Sequence, residues 1–595
     1  MKKRNTEVHP TVLLESFAKG DFGHSWRFEG LERIITAHAG ENVAAALQQV
    51  EKAVADGFHA AGFVSYEAAS GLNAQLSTRE LTDFPLVWFG IFRQRIPVVP
   101  AAAEQSRPCR ISEPEVETDQ GAYTSAVKKI REAIASGDTY QVNYTIGQCF
   151  EMEGAPLALY HRICRSQQAP FCAWIDTGCH QILSASPELF FSLKGGRITM
   201  KPMKGTAARL PCHGDDLRQK QHLAESEKEQ AENLMIVDLV RNDLSMIAET
   251  GSVTVPQLFK IETYPTVHQM TSTVCAQLKP GIGLLEIFKA LFPCGSVTGA
   301  PKRRTMEIIR ELETGPRGIY CGAIGYVSPG VEATFSVAIR TAVVESDSGK
   351  ARIGIGSGIT WGSEPTEEYR ECLTKGRFLT REMPYFRLIE SIRYDNNGFR
   401  LLERHLKRLS ESAAYFGIAQ PDAEQIRNTL EQLVAGVTGT YKLRLLLAQD
   451  GSFTAEAASI EAPPDETGMI ALSQYRVSTA DVFLYHKTTR RDLYVSERAN
   501  YPDCYDVIFL NQRGEVTEGS YNNVVVQIDG ERLTPAVQCG LLPGVFREEL
   551  LEKQEIKEAI ISAKELSQAE KIWLINSVRG WRECRLKTGL GTGNI

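Results

Sequence analysis

No apolar run in the 595 residues approaches the roughly 20 needed to cross a bilayer. The basic start, Met1-Lys2-Lys3-Arg4-Asn5, leads into Val12-Leu13-Leu14, but Glu15 interrupts before a secretory apolar region can form. No Cys-x-x-Cys pair occurs among the 13 cysteines, of which Cys109, Cys149, Cys164, Cys172 and Cys179 are the first. Neither a disulfide framework nor a zinc cadence is therefore expected, and the thiols read as reduced. Blocks of Lys/Arg are missing too: 66 basic against 73 acidic residues leave a formal charge of −7. Phosphate neutralisation needs clustered positive charge, so nucleic acid is not an expected partner. No repeat of fixed period is present, which excludes solenoids and propellers. These absences leave an expectation of a cytoplasmic enzyme without nucleic-acid or membrane partners.

What is present suits a large core: 43% hydrophobic and 23% charged residues are ordinary globular values. Length alone suggests about four domains. Two changes of texture refine this. Residues 97–108, rich in Pro and Ala, read as an internal loop, and the vocabulary changes near 376–386, so two domains are expected, at 1–380 and 384–595. Helical and strand patterns alternate, as in an α/β (α+β) protein. The segment 124–136 has Val127, Ile130 and Ile134 at helical spacing and stops at Gly137; Tyr140, Val142, Tyr144 and Ile146 then alternate as a strand. A strand is expected over 334–344, and another at 352–355 running into a turn at Gly356-Ser357-Gly358, whose backbone N–H groups could meet an anion.

Glu229 and Glu232 stand at i, i+3 on a predicted helix with apolar Ala231, Leu234 and Met235. Glu368 and Glu371 repeat the spacing, with Lys375 one turn on. Four carboxylates from two helices could hold a hard cation such as Mg²⁺. Either pair alone is more often a solvated helix face. Their company is informative: Ile134-Ala-Ser-Gly-Asp-Thr-Tyr-Gln-Val-Asn143, Ser186-Pro-Glu188, Lys201-Pro-Met-Lys-Gly-Thr206, Val237-Asp-Leu-Val-Arg-Asn-Asp243, Gly295-Ser-Val-Thr-Gly-Ala-Pro-Lys302 and Ala338-Ile-Arg340 occur in that order. Together they resemble the chorismate-utilising enzymes, which include anthranilate synthase component I, aminodeoxychorismate synthase component I and the isochorismate and salicylate synthases.

The resemblance implies a two-sheet sandwich with helices, like that of anthranilate synthase component I. It puts Glu229, Glu232, Glu368 and Glu371 around Mg²⁺, and Arg340 and Tyr320 on the enolpyruvyl carboxylate of chorismate. Gly356, Gly358, Lys375, His268 and Thr298 fall at further substrate positions. Gln141 stands where water-using members carry a lysine base, so ammonia is the expected nucleophile. Lys204 stands where anthranilate synthases usually have Ala, and a lysine there marks aminodeoxychorismate synthases. Lys204 is thus the expected covalent nucleophile and Glu188 the general acid. No Gly-x-Cys-x-Gly glutaminase segment is found, so a separate glutamine amidotransferase subunit is implied. Ser336, Gly362 and Asn233 depart from commoner residues.

Beyond residue 385 the informative strings are Phe483-Leu-Tyr-His-Lys-Thr-Thr-Arg490, Asn511-Gln-Arg-Gly-Glu-Val-Thr-Glu-Gly-Ser520, Cys539-Gly-Leu-Leu-Pro-Gly-Val-Phe-Arg547 and Leu574-Ile-Asn-Ser-Val-Arg-Gly580. They resemble the fold-type IV pyridoxal-phosphate enzymes, the group of branched-chain and D-amino-acid aminotransferases and aminodeoxychorismate lyase. That implies a two-lobed D-amino-acid aminotransferase-like domain and, through it, a homodimer. Lys487 would bond the cofactor, Glu518 would pair with its ring nitrogen, and Arg408, Gly544, Val545, Ser577 and Val578 would hold its phosphate. The strand usually preceding the motif at Glu390-Ser391 reads as short or missing, and Ser391 replaces a common Thr.

The two resemblances imply successive steps on one ring: amination of chorismate at C4, then loss of pyruvate to give 4-aminobenzoate for folate. The alternative is an anthranilate synthase-like domain joined to an aminotransferase of branched-chain or D-amino acids. A catalytically dead scaffold that binds an amidotransferase is a third reading, opposed by the retention of every proposed catalytic group.

Overall fold

The computed structural model describes residues 11–18, 25–100, 109–380, 383–461 and 466–587. The basic start and most of the Pro/Ala-rich loop lie outside them. The chain forms two units: residues 1–208 with 220–383, and residues 209–219 with 384–595. The short segment joins the second unit for physical reasons that no texture of the sequence announces. The Arg209 guanidinium lies 4.1 Å over the Tyr415 ring, the Pro211 carbonyl meets His486 Nε2 at 3.2 Å, and Cys212 packs against a cluster containing Val477 and Leu484. No described helix is long and apolar enough to cross a membrane.

Among the described residues of the first unit, 19 strands form one hydrogen-bonded network. Gln141–Gly154 pairs antiparallel with Lys350–Ile359, from Glu151 opposite Lys350 to Val142 opposite Ile359. Gly356 and Gly358 are thus strand residues, not the turn expected at that point. Their missing side chains make room: a Cβ on Gly356 would fall 2.7 Å from the Tyr144 carbonyl oxygen, and one on Gly358 would fall 2.2 Å from Lys204 Nζ. The strand expected over 334–344 is two, Glu332–Val337 and Thr341–Glu345, broken where Arg340 takes a left-handed φ of 51°. Such a conformation costs a non-glycine residue energy and breaks the ladder, aiming the guanidinium away from the strand line. Met203–Ala208 pairs with Val267–Gln277 with a register shift between Met203 and Thr206, a bulge that re-aims Lys204.

Helices close over this network. Gln120–Ala135 is capped by Asp119 and buries Tyr123, Ala126, Val127 and Ile130, close to expectation. Glu227–Ile247 is capped by Ser226, and its buried face runs through Asn233, Ile236, Val237, Val240 and Leu244. The expected apolar face at Ala231, Leu234 and Met235 is corrected: Leu234 is 42% exposed. The helix turns a polar residue inward because Asn233 finds partners there, donating to the Lys204 carbonyl at 3.0 Å and accepting from Ser272 at 2.6 Å.

The second unit has two sheets, as two lobes require. One orders the strands Gly398–Phe399, Leu388–Asp395, Tyr441–Leu447 and Phe453–Ser459, all antiparallel; the other has eight strands of mixed direction. Leu388–Asp395 is well formed, with Glu390 and Ser391 inside it, so the strand at this motif is present rather than missing. Its weak text reflects a buried charge: Glu390 is bound by Arg408 and His405.

Two candidate active sites

The first unit holds a cavity of about 270 Å³ whose lining includes Glu188, Lys204, Arg340, Tyr320, Gly356, Gly358 and Lys375, with Glu229, Glu232, Glu368 and Glu371 from two helices. Chain segments far apart in sequence thus converge here. Lys204 Nζ lies 3.7 Å from Glu232 Oε2. Burial lowers the Lys204 pKa; Glu232 opposes this and Lys375 adds to it. Burial raises Glu188 to about 7, although Ser296 Oγ donates to its carboxylate at 2.6 Å. A carboxyl of that kind can hold a proton near neutrality. Burial also lowers the Arg340 pKa; its guanidinium donates to the Gln167 side chain.

Lys375 bridges Glu371 at 2.7 Å and the Gly356 carbonyl at 3.0 Å. Burial alone would raise the Glu371 pKa, but Lys375 brings it below its ordinary value. Glu229 is raised by burial and by the neighbouring Glu232. Among the described residues no three carboxylate, His or Cys groups converge tightly enough to hold a metal. The donor chemistry still fits Mg²⁺ in kind: hard oxygens from two helices face one cavity, and carboxylate crowding already disfavours charge on Glu229.

Three expected substrate residues do not line this cavity. His268 is buried beside Thr263 Oγ1 at 3.2 Å, while its neighbours Val267 and Gln269 face the cavity, as strand alternation dictates. Thr298 Oγ1 donates to the Cys294 carbonyl at 3.1 Å. Gln141 is buried close behind Gly358, its Oε1 without a hydrogen-bond partner among the described residues. Two contributors went unremarked in the sequence: Ser296, which holds Glu188, and Asn233, which holds the Lys204 backbone. Ser296 lies inside a quoted motif; Asn233 stood out only as a departure.

The second unit encloses about 490 Å³, lined by Lys487, Glu518, Arg408, Gly544, Val545, Ser577 and Val578, all seven of the expected cofactor residues. Lys487 follows a short turn of helix, Val482–Leu484, and its carbonyl accepts from Ile389 N at 2.9 Å. Burial, with Arg408 and Arg491 nearby, pushes its amine down to about 7. Glu518, on the strand Val516–Gly519, accepts from Tyr494 Oη at 2.9 Å and Leu542 N at 3.1 Å. Burial raises it to about 7. Burial would raise Glu390 as well, but Arg408 and His405 bring it down to about 2.

This donor set fits pyridoxal phosphate. The helix Val545–Glu552 starts at Gly544 with no side-chain cap, so its first N–H groups are open to an anion. A Cβ on Gly544 would fall 2.0 Å from Asn523 Oδ1, so only glycine allows this close approach. Arg408 adds the permanent charge. Tyr494, which holds Glu518, had no signal in the sequence because its partner is 24 residues away.

Comparison with known proteins places each unit in a family. Residues 11–381 match the chorismate binding enzyme family, and residues 387–586 match amino-transferase class IV. An aminodeoxychorismate synthase from Streptomyces griseus is 41% identical over 47% of this chain and 39% of its own length. An aminodeoxychorismate synthase component 1 from Salmonella typhimurium is 42% identical over 42% of this chain and 55% of its own. The matched stretch thus spans roughly half or less of these curated relatives. Anthranilate synthase component I from Streptococcus pneumoniae, a solved structure, shares the fold at a TM-score of 0.53 and 24% identity, covering 64% of this chain and 95% of that one. The chain belongs to the chorismate binding enzyme family and carries a class IV aminotransferase domain after it.

Proposed function

We propose that the chain makes 4-aminobenzoate from chorismate in two steps, one in each unit, for folate synthesis. The first is amination at C4 to give 4-amino-4-deoxychorismate. The observation that carries it is Lys204: a half-buried lysine with lowered pKa that lines one cavity with Glu188, Arg340 and four further carboxylates. Neutral Lys204 attacks C2; the two ring double bonds shift, the C4–O bond breaks, and Glu188 gives its proton to the departing hydroxyl, which leaves as water. Ammonia then bonds to C4, the double bonds return, and Lys204 leaves with its electron pair. Arg340 and Tyr320 are assigned the enolpyruvyl carboxylate. Glu229, Glu232, Glu368 and Glu371 would hold Mg²⁺, which neutralises charge on the ring carboxylate. A separate glutamine amidotransferase subunit supplies the ammonia, a reading supported by relatives named as component 1.

The second step releases pyruvate and leaves an aromatic ring. Pyridoxal phosphate, when bound, supplies an electron sink for the pair left at C4. Lys487, its amine pushed to about 7, takes the C4 proton, and the C3–O bond to the enolpyruvyl group breaks. Glu518 keeps the cofactor ring nitrogen protonated, while Arg408, the Val545 N–H and Ser577 hold the phosphate. We assign both steps to the cytoplasm, on the scattered cysteines and the interrupted apolar start, and the second unit to a homodimer, on the resemblance.

The test is one incubation of the purified chain with chorismate, Mg²⁺, ammonium and pyridoxal phosphate. 4-Aminobenzoate with equimolar pyruvate is the expected result. Anthranilate, or an aromatic acid without nitrogen, would refute the proposal.

A further inference from the structure

The cavity of the second unit carries more positive charge than a cofactor phosphate uses. Arg408 is already bound to Glu390 through Nε at 2.9 Å and Nη2 at 2.7 Å. Beyond it, Arg582, whose guanidinium lies 3.9 Å over the Tyr505 ring, lines the same cavity, as do Lys442, Arg491, Arg498 and Arg579. Among the described residues none of these four is paired with a carboxylate. Arg491 stacks 4.4 Å from the Tyr521 ring and 4.8 Å from Tyr494, donates to the Ser520 carbonyl, and keeps a buried Nε without a partner. Arg498 faces the other part of Tyr521 at 5.4 Å. Burial, with Arg444, Arg579 and Arg491 nearby, lowers the Lys442 pKa, so these cations repel one another across the cavity.

Such a cluster is not a by-product of composition, since the chain as a whole carries −7. Unpaired cations held together in a concave, partly dry site cost stability through mutual repulsion unless an anion enters. The lining carboxylate, Glu518, is engaged by Tyr494 and Leu542. An aliphatic amino acid with a single carboxylate would leave several of these cations against apolar atoms. An amine with two carboxylates would satisfy them, and a guanidinium fork matches a carboxylate with two hydrogen bonds.

We propose that Lys442, Arg491, Arg498 and Arg579 form the substrate-reading wall of the second unit and select amines that carry two carboxylates. The proposal rests on the pyruvate-releasing reading and extends it to residues outside the cofactor set. Sequence reasoning passed over all four because each is an ordinary surface cation until the fold gathers them.

The test uses the full chain in two forms. With pyridoxal phosphate bound, pyruvate release from supplied 4-amino-4-deoxychorismate is measured for the native chain and for Lys442→Ala, Arg491→Ala and Arg579→Ala. Each substitution is expected to raise KM about tenfold or more with kcat changed by less than about threefold, and Lys442→Arg should restore most of the loss. Cofactor content, read from its absorption, should match the native chain. Without cofactor, calorimetry measures isophthalate, a rigid aromatic dicarboxylate, against benzoate; isophthalate should bind more tightly, and the substitutions should remove the difference. If the native chain releases pyruvate while the variants keep its KM, the wall is wrong and the lyase reading stands. If the native chain releases none but still prefers isophthalate through these residues, the lyase reading falls and the dicarboxylate assignment survives. Equal binding of isophthalate and benzoate, with no pyruvate, overturns both.

Discussion

Lys204 and Lys487 are both half-buried, and desolvation lowers both amines, yet the charged groups around them differ. Around Lys204, Glu232, Glu371 and Glu229 favour its charged form and Lys375 opposes them. Lys487 faces Arg408 and Arg491 as the next largest influences, and falls to about 7. The same residue type is therefore prepared differently. Carboxylates around Lys204 would also serve a cation, whereas cations around Lys487 would serve an anion and, with burial, leave about half of the amine neutral near pH 7. Burial sets the direction of both shifts, and the charge of the neighbours distinguishes the two lysines.

The comparison breaks if the two lysines are not independent. The largest expected effect is Lys487→Ala: pyruvate release should fall about 10³-fold or more, as loss of a covalent centre does, while 4-amino-4-deoxychorismate accumulates from chorismate and ammonium. A parallel fall in amination would show that the sites act as one. Lys204→Ala should cut amination about 10²- to 10³-fold and leave pyruvate release from supplied 4-amino-4-deoxychorismate unchanged. Undiminished amination would remove the nucleophile assignment.

Smaller effects sharpen the contrast. Glu188, raised to about 7, must carry its proton to act as an acid. Its protonated fraction is full well below that value and falls tenfold per pH unit well above it. The amination rate should therefore decline on the alkaline side of about 7. Glu188→Gln should lower the maximum about 10²-fold and abolish that alkaline decline; a decline that persists assigns the titration elsewhere. Smallest of all, Tyr494→Phe removes one hydrogen bond to Glu518, worth about 1.5–3 kcal/mol if the carboxylate is charged. Cofactor affinity should weaken about tenfold or somewhat more, measured by titrating the cofactor-free chain, and amination should not change.

Much of the cofactor site was legible because its residues sit in ordered, compact motifs. All seven expected residues line one cavity. The chorismate-side cavity was legible in its charged members, Lys204, Glu188, Arg340 and the four carboxylates, since charge is costly to bury without a purpose. Neutral polar residues read less well. His268 and Thr298 turned to local partners, and Ser296 and Asn233 took positioning contacts that no spacing could announce. The Gly356-Ser357-Gly358 segment looked like a turn, yet glycine serves there to clear space within a strand.

Order and kind of residues along the chain were enough to point to two families and to the place where one vocabulary yields to the other. That information is local, because motifs are runs of neighbours and helical or strand spacing is a short-range regularity. Folding decided the rest: which face of Glu227–Ile247 turns inward, where Arg340 breaks a strand, why residues 209–219 belong with the second unit, and how four scattered cations come to line one cavity. Each of these depends on contacts between residues far apart in the chain, and such contacts are set by burial and polar satisfaction in three dimensions, which no single window of sequence contains.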